Sequence, residues 1–191
     1  MDRYKIINGK VITPYRIIDD GTVAYEDGKI IYIGKSDVEI QNCTVFDAKG
    51  NYVSPGFIDI HTHGGGGQDF MDGTSNAFLG AAEMHAQHGT TSILPTTLTS
   101  TLEDLKQTFE GFREAKGKNE SGAQFLGIHL EGPYLALSQC GGQDSRYIRN
   151  PKKDEYEKIF QEDKEIFIRD IPISLCMIVK NEEKQLGACL K

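Results

Sequence analysis

A chain of 191 residues, 38% hydrophobic and 26% charged, has the make-up of a soluble globular protein of one mid-sized or two small domains. The formal net charge of −7 leaves no basic stripe to neutralise phosphates, which excludes a nucleic-acid footprint but not a small anion held by a few local donors. Cys43, Cys140, Cys176 and Cys189 form no CxxC pair, so neither a disulfide framework nor a cysteine zinc site is expected.

Residues 4–52 read as short strands joined by turns, with candidates at 4–8, 10–13, 21–26, 29–34 and 43–47, rich in Val, Ile and Tyr. Asn8-Gly9 and Asp27-Gly28 are dipeptides favoured in tight hairpins. At Pro55 the texture changes to alternating strand and helix. Residues 56–63 form an apolar strand with a polar end, 74–88 a helix, 91–95 a strand, 101–115 a helix and 124–131 a third strand. A further amphipathic stretch covers 154–160. Such alternation predicts βα units on a parallel sheet. A closed (β/α)8 barrel takes about 250 residues, so the sheet is expected to be unfinished. The start of the chain carries no cationic segment followed by an apolar run, and no apolar run approaches a membrane span. A reducing, cytoplasmic setting is the expectation.

The strongest chemical feature is Pro55-Gly56-Phe57-Ile58-Asp59-Ile60-His61-Thr62-His63-Gly64. Strand side chains alternate, so Asp59, His61 and His63 share a face. Two imidazoles at the C-terminal end of a strand can converge on one divalent cation, and neutral imidazole suits zinc, iron or nickel. The plainer reading is a pair of hydrogen-bonded histidines in a turn. The second feature is Gly127-Ile128-His129-Leu130-Glu131-Gly132-Pro133-Tyr134. Alternation puts Leu126, Ile128 and Leu130 toward covering helices, and Phe125, Gly127, His129 and Glu131 on the other face. Glu131 then lies level with His63 as a candidate ligand, or else caps the following loop. His129, one rung deeper, reads as structural. Residues 64–67, all glycine, lack phosphate-cradle spacing and read as a flexible loop over a site. His85 and His88 read as surface or capping residues.

Taken together, PGFIDIHTHG, HLEGPY and Gly141-Gly142-Gln143-Asp144 resemble the N-acetylglucosamine-6-phosphate deacetylase family of the amidohydrolase superfamily. Residues 69–73 and the His88-Gly89-Thr90-Thr91 junction fit the same pattern, and the resemblance covers roughly residues 1–168. It implies an α/β fold: the first βα units of a (β/α)8 metal-dependent hydrolase barrel, incomplete, preceded by part of a small β-sandwich. The corresponding divisions are 1–54, 55–168 and an unrelated-looking tail at 169–191. The implied activity is hydrolysis of the acetamide of N-acetylglucosamine 6-phosphate to glucosamine 6-phosphate and acetate. By resemblance, His61, His63 and Glu131 are metal ligands, zinc first, with iron or another transition metal as alternatives. Gly142 and Gln143 correspond to a loop that contacts the amino-sugar phosphate. The general acid/base and the remaining ligands match no residue of this chain, so the chain alone is expected to be inactive. A homodimer is implied for a full-length form, with no nucleic-acid or membrane partner.

Two alternatives stay beside this reading: another metal-dependent amidohydrolase of dihydroorotase or deaminase type, and a non-catalytic fragment that keeps metal affinity. In the tail, Ile173-Ser174-Leu175-Cys176-Met177-Ile178-Val179-Lys180-Asn181-Glu182-Glu183 instead resembles the opening of a family 2 glycosyltransferase.

Overall fold

The computed structural model describes residues 3–35 and 38–162, and the tail with its glycosyltransferase-like stretch lies outside them. Two compact units divide at Pro55. Among the described residues no helix is long and apolar enough to cross a membrane. Cys43 and Cys140 are free thiols.

The first unit is one sheet ordered β3-β2-β1-β4, with β5 also on β1. Its strands are β1 (Arg3–Ile12), β2 (Ile17–Glu26), β3 (Lys29–Gly34), β4 (Thr44–Asp47) and β5 (Tyr52–Val53). Asp27-Gly28 makes the expected tight turn between β2 and β3, with both residues at positive φ (47° and 76°). Asn8-Gly9 does not turn the chain. There β1 runs on as one strand with a bulge, its register against β2 shifting on both sides of Gly9. Asn8 takes the left-handed conformation (φ 56°), and its amide donates to Asp47 on β4 (3.0 Å). The same αL preference that favours hairpins serves here to bend a continuous strand.

The second unit holds the helices. Its parallel sheet is ordered β10-β9-β6, from β6 (Phe57–Thr62), β9 (Thr90–Pro95) and β10 (Gln124–Phe125), with α1 (Ser75–Gln87) and α2 (Leu102–Lys118) between successive strands. A third helix, α3 (Lys153–Glu162), follows. Each central helix starts on a threonine N-cap: Thr74 accepts from the Ala77 amide (3.2 Å) and Thr101 from the Asp104 amide (3.1 Å). Hydroxyls of Ser100 and Thr101 also donate to the Asp104 carboxylate, which holds its pKa below the ordinary value. Replacing Thr74 with alanine is expected to destabilise the unit by about 1 kcal/mol, measured as a lower urea midpoint.

Phe70, Phe78, Phe109, Phe112, Phe125 and Ile93 lead the core between the helices and the sheet. Phe125 therefore lies on the helix side with Ile128 and Leu130, not on the face of His129 and Glu131 as strict alternation predicts. The ladder explains the difference. Only Gln124 and Phe125 are regular strand, and pairing resumes at a single bridge between Thr96 and His129. The irregular backbone between them shifts the alternation by one residue. On β6, Phe57, Ile58 and Ile60 are each more than 60% exposed, and among the described residues the strand pairs only with β9, as expected of an unfinished sheet.

Candidate metal centre

Both histidines stand at the C-terminal end of β6, on either side of Thr62. The Thr62 carbonyl accepts from the Thr96 amide (2.8 Å) and its amide donates to Thr96 Oγ1 (3.1 Å), which holds this strand end against the end of β9. On the far side of β9, the Thr97 amide donates to the His129 carbonyl (3.0 Å), and the Glu131 amide donates to Thr97 Oγ1 (3.1 Å). The three strand ends thus meet around Thr96 and Thr97.

The result is a cluster of three ligand-type atoms. His61 Nε2 lies 3.0 Å and His63 Nε2 3.3 Å from Glu131 Oε2, and one donor atom from each residue falls within 4.8 Å of the others. These contacts lack hydrogen-bond alignment: Glu131 Oε2 is buried and has no hydrogen-bond partner among the described residues. His63 Nδ1 lies 3.2 Å from the Thr96 carbonyl, which can only accept, so Nδ1 carries the proton. In the neutral ring, Nε2 is then left with its lone pair toward the cluster. The imidazole side chains are 52% and 37% exposed and the carboxylate 22%, so the group is open on its histidine side. Two imidazoles and a carboxylate suit zinc, and donors about 2.0–2.2 Å from one ion sit roughly 3.3 Å apart at a tetrahedral edge. The two contacts to Oε2 match that spacing, and the orphaned oxygen is the kind of atom a cation would satisfy.

Other predicted residues fall around the cluster rather than in it. Asp59 shares the strand, but its carboxylate accepts from the His61 amide (3.0 Å) and is not part of the group. His129 is 8% exposed, edge-on to the His61 ring at 4.8 Å, with Nδ1 3.4 Å from Thr96 Oγ1 and no partner at Nε2 among the described residues. Burial first, and then the charges of His61 and His63, push its pKa down, against the opposing pull of Glu131. Gln143 is half-buried, and its side-chain oxygen accepts from the Thr99 amide (2.7 Å). Gly142 is exposed, and a Cβ there would meet nothing within 4 Å. Thr99 also abuts the turn after Glu131: Gly132 has φ 78°, and a Cβ on it would come within 2.2 Å of Thr99 Oγ1.

The glycine run differs from the expected loop. Gly64–Gly65 pair with Gln68–Asp69 as an antiparallel hairpin, β7 and β8, turning through Gly66 and Gly67 at positive φ. A Cβ on Gly64 would lie 2.0 Å from the Gln68 carbonyl oxygen, so close backbone approach requires glycine here. His85 braces the same place from α1, with Nε2 3.1 Å from the Gly64 carbonyl and 3.3 Å from Thr62 Oγ1. His88, by contrast, caps its helix through Nδ1 to the Met84 carbonyl (2.9 Å). Sequence reading missed the bracing by His85 and the roles of Thr96 and Thr97. The last two follow Pro95 at the same strand end as the candidate ligands, and that position was the available signal.

Parallel strands with intervening helices, and imidazole and carboxylate groups gathered at the strands' C-terminal ends, define the opening of a metal-dependent βα barrel. The chain belongs to the amidohydrolase family, which it matches over residues 52–175. It is 35% identical over 156 residues to the N-acetylglucosamine-6-phosphate deacetylase of Bacillus subtilis strain 168, covering 80% of this chain and 39% of that protein. The enzyme of the same name from Haemophilus influenzae is 36% identical over 150 residues, covering 77% and 38%. The crystal structure of N-acetylglucosamine-6-phosphate deacetylase from Pasteurella multocida superposes with a TM-score of 0.75 at 28% identity, covering 86% of this chain and 43% of that one. The chain thus spans about two fifths of the length of the curated relatives it matches.

Proposed function

We propose that the chain supplies the first ligand-bearing strands of a metal-dependent deacetylase that releases acetate from N-acetylglucosamine 6-phosphate. The observation that carries this reading is the convergence of His61, His63 and Glu131 on one point, with Glu131 Oε2 left without a hydrogen bond among the described residues. The named activity of the similar proteins gives the substrate class.

His61, His63 and Glu131 would hold the ion, zinc by donor set, with iron or another transition metal also compatible. When bound, such an ion polarises an amide carbonyl and makes water nucleophilic near neutral pH. The chain's own residues have separable tasks. The Thr96 carbonyl fixes the tautomer of His63, and Glu131 brings the compensating negative charge. Gln143, its oxygen engaged by Thr99, keeps two N–H donors for a sugar hydroxyl or phosphate, and the open space at Gly142 lets that group approach. No residue of the chain is assigned as general acid/base.

The expected result is that the 191-residue chain binds one equivalent of zinc in competition with a chromophoric chelator, yet releases no acetate by itself. Adding N-acetylglucosamine 6-phosphate to the zinc-loaded chain should slow amide hydrogen exchange around Gly142 and Gln143. Absence of zinc binding would overturn the metal reading. Zinc binding without that protection would remove Gly142 and Gln143 from the substrate contacts.

A further inference from the structure

Thr96 and Thr97 follow β9 and are buried, at 0% and 1% exposure. A buried hydroxyl must find a partner or lose stability, so the groups each one bonds show what it holds. Thr96 Oγ1 accepts from the Thr62 amide and approaches the Leu94 carbonyl (3.2 Å) and His129 Nδ1 (3.4 Å). Its partners lie on the strands. Thr97 Oγ1 instead meets Glu131 at both main-chain polar groups: it accepts from the amide (3.1 Å) and reaches the carbonyl oxygen (3.5 Å). The first is a normal hydrogen bond and the second a weak contact at the distance limit.

This hydroxyl acts where the sheet no longer does. Regular pairing on this segment ends at Phe125, and after the bridge at His129 the last ladder bond runs from the Thr97 amide to the His129 carbonyl. Glu131 lies two residues beyond that bond, immediately before the turn at Gly132. A carboxylate on a strand end without ladder support would sample several directions, yet Oε2 must face His61 and His63 Nε2 to share an ion with them.

We propose that Thr97 is a positioning residue for the metal centre, its hydroxyl holding the Glu131 main chain so that Oε2 stays aimed at the two imidazoles. This rests on the reading of His61, His63 and Glu131 as metal ligands. Among the described residues the Thr97 hydroxyl bonds Glu131 at its main-chain groups, so it acts through Glu131. Partners of this kind, which orient a ligand from behind, commonly change metal affinity by about 10–100-fold when removed.

The test is Thr97→Val in the full chain, which keeps the side-chain shape and deletes the hydroxyl. Zinc affinity is read by chelator competition, and the visible absorption of the cobalt(II)-loaded chain reports ligand geometry. The expected result is zinc binding weakened by about 10–100-fold with altered cobalt bands, and recovery of both in Thr97→Ser. A merely structural threonine would lower the unfolding midpoint and leave affinity and cobalt spectrum unchanged in the folded variant. That outcome overturns the proposal while the metal reading stands. If the wild-type chain binds no zinc, both fall together. Should the valine variant not fold, Thr97→Ala carries the same expectation, since it removes the hydroxyl without placing a methyl group against the Glu131 amide.

Discussion

Replacing Glu131 with glutamine is expected to weaken zinc binding by about 100-fold or more, beyond the roughly 10–100-fold effect of removing an outer partner. The substitution keeps size and shape and removes the one negative charge in the cluster. It also replaces an acceptor oxygen with an N–H donor near His61 and His63 Nε2, which a small side-chain rotation can bring onto an imidazole lone pair. The sign of the stability change separates this reading from a plain loop-capping carboxylate. Oε2 receives no hydrogen bond from the described residues, so an amide that can donate to an imidazole should leave the unfolding midpoint of the chain, measured without added metal, unchanged or raise it. A capping carboxylate would show the reverse: lost stability and no change in zinc affinity. Chelator competition and thermal unfolding on the same two proteins check both halves.

The largest stability effect is expected at Phe78. Its ring is fully buried, stacked on Phe70 at 4.9 Å and edge-on to Phe112 and Phe125 at 5.7 and 6.1 Å. It therefore joins α1, α2 and β10 in one aromatic cluster. Truncation to alanine removes the buried area and leaves a cavity that rigid neighbouring rings cannot fill, at a cost of about 3–5 kcal/mol. Domains are stable by only about 5–15 kcal/mol, so the variant is expected to sit near the edge of folding. The chain has no tryptophan, but all described α-helices lie in the second unit, so the helical far-ultraviolet signal reports on that unit directly. Its urea midpoint should fall sharply. A shift no larger than that expected for Thr74→Ala would mean that the aromatic cluster is not the keystone of this unit.

These two predictions differ in how far the sequence alone supports them. Glu131 was legible beside His61 and His63 because strand alternation is local, and a short motif places ligand-type residues on one face of a strand end. The order of strands and helices after Pro55 was legible for a similar reason: the change from period 2 to period 3.6 is written in neighbouring residues. Phe125 was misplaced by the same rule, since alternation fails wherever the ladder breaks, and a break has no local signature. Asn8-Gly9 and the four glycines from 64 to 67 carry a preference for left-handed backbone. Whether that preference makes a hairpin, a bulge or a loop depends on what lies alongside: Asp47 on β4 for the first, the Gln68 carbonyl for the second.

The sequence by itself determined the βα order and the residue types able to bind a metal. Tertiary structure alone decided how those residues are held: the Thr96 carbonyl that sets the His63 tautomer, His85 against Gly64, and Thr97 against Glu131 lie 33, 21 and 34 positions from their partners. Hydrogen bonds over such separations depend on strands brought together by the core, and a single chain of letters carries no periodicity that records them.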